Sequence, residues 1–161
     1  MLRGFVARVA TAVLFAALVA DVTAGDIKAA SVKPADTRVG AITVHDAWTR
    51  PTAAGMPMGV AYFTLVNHGN VADAVVAAST PLAASVEMHQ TTVVDGMMRM
   101  RPLPEIALPA RGTVAVAPNG IHLMLVDLKA PLAAGTQVPL VLQFRHAGRV
   151  EIRLAVQART E

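Results

Sequence analysis

Residues 85–103 read SVEMHQTTVVDGMMRMRPL, and their reading decides the fold. Two runs, 85–94 and 97–103, are rich in residues that suit strands, and they meet at Asp95-Gly96. That dipeptide favours a two-residue hairpin turn, because both central positions of such a turn need positive φ. If Asp95 and Gly96 are the turn, Val94 faces Met97, Thr91 faces Met100 and His89 faces Pro102. Side chains alternate along a strand, so His89 and Met100 become diagonal neighbours on one face, roughly 5–8 Å apart. Met98 shares that face. Met88 and Met97 point the other way, toward an expected core.

Outward from this hairpin the chain keeps the same texture. Further strands are expected at 42–48, 60–67, 74–78, 113–116, 121–128, 137–145 and 150–157. Turn residues separate them: Asn67-His68-Gly69-Asn70, Pro118-Asn119-Gly120 and Ala147-Gly148. Ten prolines among the 161 residues leave no room for a long helix in this part. Many short strands at this spacing indicate an all-β sandwich or barrel.

The N-terminus has another character. Arg3 and Arg8 precede an unbroken apolar run, VATAVLFAALVA, and Val22-Thr23-Ala24 offers small residues for cleavage. Residues 1–24 therefore read as a secretory signal peptide, since the apolar run is shorter than the roughly 20 residues a membrane span needs. Residues 25–40 are small, polar and without period, and read as a flexible leader. Residues 41–161 then form one domain, enough for a hydrophobic core. Removing Arg3, Arg8 and Asp21 lowers the formal charge from +3 to +2. That balance excludes a nucleic-acid partner, which needs a clustered basic face.

The chain has no cysteine and eight methionines. A soft-metal site here must be built from thioether and imidazole, and that pair suits Cu(I), whereas Zn(II) prefers thiolate, imidazole or carboxylate. His122 and Met124 lie two apart on an expected strand, so they share a face with Cα atoms about 6–7 Å apart. His89 with Met100, and His122 with Met124, are thus two local chelates. Spacing alone does not bring the two pairs together.

Residues 89–124 spell H-x10-M-x21-H-x-M, and the surrounding sequence carries DAWTR at 46–50, VEMH at 86–89, GMMRMRP at 96–102, GIHLML at 120–125 and FRHAG at 144–148. In these segments the chain resembles the periplasmic copper chaperone family called PCuAC. The resemblance implies a cupredoxin-like Greek-key β-sandwich and one Cu(I) per chain held by His89, Met100, His122 and Met124. It also implies a metallochaperone that loads a respiratory oxidase, at the dinuclear copper centre of cytochrome c oxidase. The expected partner is an apo oxidase subunit or another periplasmic carrier, and the expected state a monomer. A copper buffer or tolerance protein without a dedicated recipient is the alternative. The chain departs from the family at Val71-Ala72-Asp73-Ala74, where two adjacent acids are common, and at Ile121, where an aromatic is common.

Other residues read more plainly. His45, His68 and His146 are expected to be solvated or hydrogen-bonded. Met56 and Met58 flank Pro57 in an expected loop, as packing residues or auxiliary soft ligands. Trp48 and Tyr62 are expected core aromatics, and Arg50, Arg99 and Arg101 a solvated face that could steer an acidic partner. No G-x-S-x-G serine, cysteine nucleophile or paired carboxylates argue for an enzyme, and a blue-copper centre needs a cysteine the chain lacks.

Overall fold

The computed structural model describes residues 34–159. The signal-peptide segment, 1–24, lies outside them, as does the leader up to residue 33. The described residues form β1 (Thr37–Val39), β2 (Ile42–Thr49), β3 (Met58–Asn67), β4 (Asp73–Ser79), β5 (Ala83–Val94), β6 (Met97–Pro102), β7 (Ile106–Leu108), β8 (Thr113–Val116), β9 (Ile121–Leu128), β10 (Gln137–Phe144) and β11 (Arg149–Val156), with no helix.

The strands follow one hydrogen-bonded path, β6-β5-β9-β8-β3-β2-β11-β10-β4-β7, with β1 on β2 and β9 also paired to β3. Most pairs are antiparallel. The parallel pairs are β2 with β11 and a single bridge between β8 and β9. The path folds over on itself, so that Phe63 and Leu65 of β3, Ile106 and Leu108 of β7, Leu123 and Leu125 of β9, Leu140 and Leu142 of β10, and Ile152 and Leu154 of β11 share one core. This is the sandwich the strand pattern predicts.

Alternation explains the layering. In β10, Val138, Leu140, Leu142 and Phe144 are buried while the residues between them are partly or fully exposed. Each such side chain contributes about 1.5–3 kcal/mol when fully buried. In β3 the inward set is Ala61, Phe63 and Leu65. Val60 and Tyr62 therefore point to the outer surface of the sheet, and that outer surface carries the site.

Two strands were not visible in the pattern. β7 is three residues long and sits among Pro102, Pro104 and Pro109, too short to show alternation, yet Ile106 and Leu108 are fully buried. β1 falls within the segment that reads as leader. Its Thr37–Val39 pairs with β2 through a turn at Gly40, where φ is +55°.

Candidate metal centre

Asp95 and Gly96 both have positive φ, 53° and 74°, as a type I′ turn demands. The resulting β5–β6 register pairs Val94 with Met97, Thr91 with Met100 and His89 with Pro102, as expected. His89, Met98 and Met100 thus share one face. β6 pairs with β5 alone, and its residues are exposed throughout. The hairpin therefore overhangs the sandwich, and this corrects one expectation. Met97 faces away from Met98 but finds no core there, and it is 56% exposed. Met88, by contrast, packs against the core.

The long-range pairing supplies what spacing could not. β9 lies antiparallel to β5, with Met88 opposite Leu123, His89 opposite His122 and Glu87 opposite Met124. Met88 and Leu123 point into the core, so the flanking residues His89, His122, Glu87 and Met124 point outward together. The two imidazoles lie with ring centroids 6.1 Å apart and planes at 70°. An imidazole nitrogen meets a metal at about 2 Å, so two rings on one ion stand with centres roughly 5–6 Å apart. Met98, Met100, His122 and Met124 line a common cleft of about 380 Å³ with Tyr62 and Arg50. Met98, Met100, His122 and Met124 share this cleft, and His89, which does not line it, stands opposite His122 on the same outer face of β5 and β9.

Hydrogen bonds fix which nitrogen of each ring keeps a lone pair. His122 Nδ1 lies 3.0 Å from the Gly120 carbonyl. A carbonyl only accepts, so Nδ1–H donates and Nε2 of a neutral ring stays free to bind metal. The same carbonyl accepts from Thr91 N at 3.0 Å, which ties the turn before β9 to β5. His89 has the opposite arrangement. Its Nε2 donates to Glu87 Oε2 at 3.1 Å, and its Nδ1 is buried without a hydrogen-bond partner. A buried unpaired ring nitrogen is costly unless something takes its lone pair, and a metal ion is such a partner. The residues present therefore fit a soft cation. Glu87 was missed as a participant. Its signal was the i, i+2 spacing to His89, which puts the carboxylate on the same face.

The surroundings are partly as read. Trp48 and Tyr62 are buried, but on the outer face, where they pack as a cross-strand pair with centroids 4.6 Å apart. A bulge in β2 between His45 and Trp48 re-aims the tryptophan. There Asp46, at φ 49°, receives Arg159 through two 2.7 Å hydrogen bonds, and the Arg159 guanidinium lies 4.8 Å over the Trp48 ring. Arg50 belongs to the site's wall, not to a solvated face. It lines the cleft and hydrogen-bonds Tyr62. Burial raises the Tyr62 phenol above its ordinary value, against the opposing pull of Arg50. Arg101 bonds Gln90 at the surface.

The remaining histidines are engaged elsewhere: His45 with Asp36, His68 with Thr43, and His146 through its backbone N–H with Asp73. Among the described residues no group of three or more His, Asp and Glu is placed to hold a metal ion.

The chain is similar to known proteins in sequence and in fold. The sequence profile of the LpqE-like family, "Putative lipoprotein LpqE-like", matches residues 42–156. A curated relative, "Putative lipoprotein Lxx21020" of Leifsonia xyli subsp. xyli, is 31% identical over 129 residues, spanning 80% of this chain and 76% of that protein. The copper-bound PCuAC domain from PmoF2 superposes with a TM-score of 0.67 at 27% identity, covering 78% of this chain and 99% of that domain. The solution structure of CuI-DR1885 from Deinococcus radiodurans gives 0.60 at 31% identity, covering 78% and 83%. The fold is accordingly the cupredoxin-like β-sandwich of the PCuAC domains.

Proposed function

The chain belongs to the LpqE-like family, and from that premise we propose that it is an exported, non-enzymatic Cu(I) carrier, one ion per chain held by His89, Met100, His122 and Met124. The carrying observation is the opposition of His89 and His122 across β5 and β9, each with one ring nitrogen engaged and the other left for a metal. Met100 and Met124 add two uncharged sulfurs beside them. Such a set holds a soft d10 ion without a thiolate. The structures it resembles in fold include the copper-bound PCuAC domain from PmoF2 and the CuI form of DR1885.

The position of the centre suits a carrier. It stands on the outer face of the sheet, partly built by an overhanging hairpin, where an incoming ligand can displace Met100 at 55% exposure. The lipoprotein description of the family accords with export to the periplasm, and residues 1–24 supply the signal. The recipient in this reading is a copper-accepting protein of the periplasm, a respiratory oxidase at the dinuclear copper centre of cytochrome c oxidase. A buffer without a dedicated recipient is the alternative. A monomer suffices, because every ligand comes from one chain.

Anaerobic Cu(I) titration of the mature protein against a competing chelator, followed by X-ray absorption, tests the binding. One equivalent in a mixed nitrogen and sulfur shell is expected. Oxygen-only coordination, or no Cu(I) retained against a weak chelator, overturns it. Transfer to an apo oxidase copper subunit, followed by its optical spectrum, separates the carrier from the buffer.

A further inference from the structure

Met56 and Met58 read in the sequence as loop packing or as auxiliary soft ligands, and the structure gives them little to pack on. Met58 opens β3 at 38% exposure and Met56 precedes it at 52%. Large apolar side chains left this open forfeit much of the about 1.5–3 kcal/mol that burial brings. Both line a second cleft of about 200 Å³, and Met124 lines it too. Strand register explains the meeting. Met58 faces Val126 and Val60 faces Met124, so Met58 and Met124 are diagonal neighbours on the outer face of the β3–β9 pair. Arg50, Val60 and Met124 wall both this cleft and the larger one with His122 and Met100.

The backbone under the second cleft is tied down. Met56 N bonds the Ala53 carbonyl at 3.2 Å, Leu128 N bonds the Pro57 carbonyl at 2.9 Å, and Thr52 exchanges two hydrogen bonds with Leu132. The cleft's lining holds neither carboxylate nor imidazole. Its only metal donors of consequence are three thioethers, which select a soft monovalent ion. The Arg50 charge on its wall works against retention of a cation.

We propose that Met56, Met58 and Met124 form a second, weaker Cu(I) site through which metal enters and leaves the primary centre. The proposal rests on the primary centre being as read above, because Met124 serves both. The ion passes by ligand exchange, staying Cu(I). Bonds to Met56 and Met58 are released as bonds to His89, His122 and Met100 form, with Met124 as the shared donor. Thioethers carry no proton, so none is taken up or lost at the entry site.

The test uses the mature chain with methionine labelled at the ε-methyl carbon, titrated with Ag(I) as a redox-stable probe and observed by NMR. The first equivalent should move Met100 and Met124. A second, weaker by about tenfold or more, should move Met56 and Met58 together. The variant Met56→Leu with Met58→Leu should lose the second phase and keep the first. It should also slow the removal of bound Cu(I) by a chelator by about tenfold. Leu for Met at such exposed positions leaves the fold intact, which circular dichroism verifies. If Met56 and Met58 stay unmoved, if the second equivalent goes to Met97 and Met98, or if the variant exchanges Cu(I) at the wild-type rate, the entry site is wrong. A first equivalent that leaves Met100 and Met124 unmoved refutes the primary centre, and the Met56 and Met58 signals still report on the second cleft separately.

Discussion

His89 on β5 and His122 on β9 stand directly opposite each other in an antiparallel pair, their rings 6.1 Å apart, and they keep opposite nitrogens free. The Gly120 carbonyl accepts a hydrogen bond from Nδ1–H of His122, while the Glu87 carboxylate accepts one from Nε2–H of His89. A neutral His122 thus keeps its lone pair on Nε2, and a neutral His89 keeps its own on Nδ1. Nitrogen-15 NMR of the metal-free protein at neutral pH should show His122 as the Nδ1–H tautomer and His89 as the Nε2–H tautomer. Glu87→Gln keeps a weaker acceptor for His89, whereas Glu87→Ala removes it and should blur the His89 tautomer. Loss of such an outer partner typically costs about 10- to 100-fold in metal affinity. Identical tautomers at the two rings would contradict this arrangement.

The hairpin ranks its methionines. Met100 and Met98 share the face of His89, and both line the cleft, while Met97 points away into solvent. Met100→Ala should weaken Cu(I) binding most and Met98→Ala modestly. Met97→Ala should leave both affinity and stability nearly unchanged, within about 0.5 kcal/mol, as for other surface substitutions. Chelator competition and urea unfolding of the three variants check this. Equal affinity losses at Met97 and Met98 would mean the Asp95-Gly96 register is wrong.

Much of this was legible in the sequence, and what was not has physical causes. Asp95-Gly96 dictated a turn type, the turn dictated the register, and the register placed Met98 and Met100 beside His89. The two-residue step from His122 to Met124 worked the same way. The convergence of the two pairs was not legible. It depends on β5 and β9 meeting in a register set by core residues such as Met88 and Leu123, distant in sequence and fixed only by packing. Met97 misled because alternation reports which face a residue takes, and an overhanging edge strand has no covered face to offer. Arg50 misled because an arginine's apolar stem and charged head let it line a cleft as readily as a surface.

The folded state should not need the metal. Leu123 and Met88, between the candidate ligands, are held by the core, and Leu123, Leu140 and Leu142 are fully buried. Metal-free protein should show β-rich circular dichroism and cooperative unfolding, unlike a zinc finger, in which metal binding is folding energy. Leu140→Ala should lower stability by about 2–5 kcal/mol and leave the copper stoichiometry of the remaining folded protein unchanged. A random-coil spectrum for the apo protein would refute this.

Far from the cleft, Asp73 holds the turn between β10 and β11. Its Oδ1 accepts from Ala74 N at 2.8 Å and His146 N at 3.0 Å, and Oδ2 accepts from Ala147 N at 2.8 Å. Burial by itself would raise this carboxyl, but the three N–H donors outweigh it and hold Asp73 below its ordinary value. A group lowered in the folded state stabilises above its unfolded value of about 3.9 and loses that contribution as pH falls through the lower folded value. Asp73→Asn should therefore be less stable than wild type by about 1–2 kcal/mol near neutral pH. The gap should close as acid protonates Asp73. Urea midpoints across the acid range measure it, and a constant gap down to the lowest pH would show that Asp73 is held by shape alone.

The identity of the metal turns on Met100 and Met124. Zn(II) gains little from a thioether and should see only the two imidazoles of His89 and His122. Cu(I) should use the sulfurs as well. Replacing both methionines with Leu keeps apolar volume roughly constant and typically costs under about 1.5 kcal/mol of stability per site. The double variant should stay folded, lose Cu(I) affinity by orders of magnitude and keep its weak Zn(II) binding. Removing both His89 and His122 should abolish binding of either metal at this centre. Competition titrations of the double Met variant and wild type with each metal decide the matter. A variant that retains wild-type Cu(I) affinity would reduce the two thioethers to packing and leave the site as two histidines without metal preference.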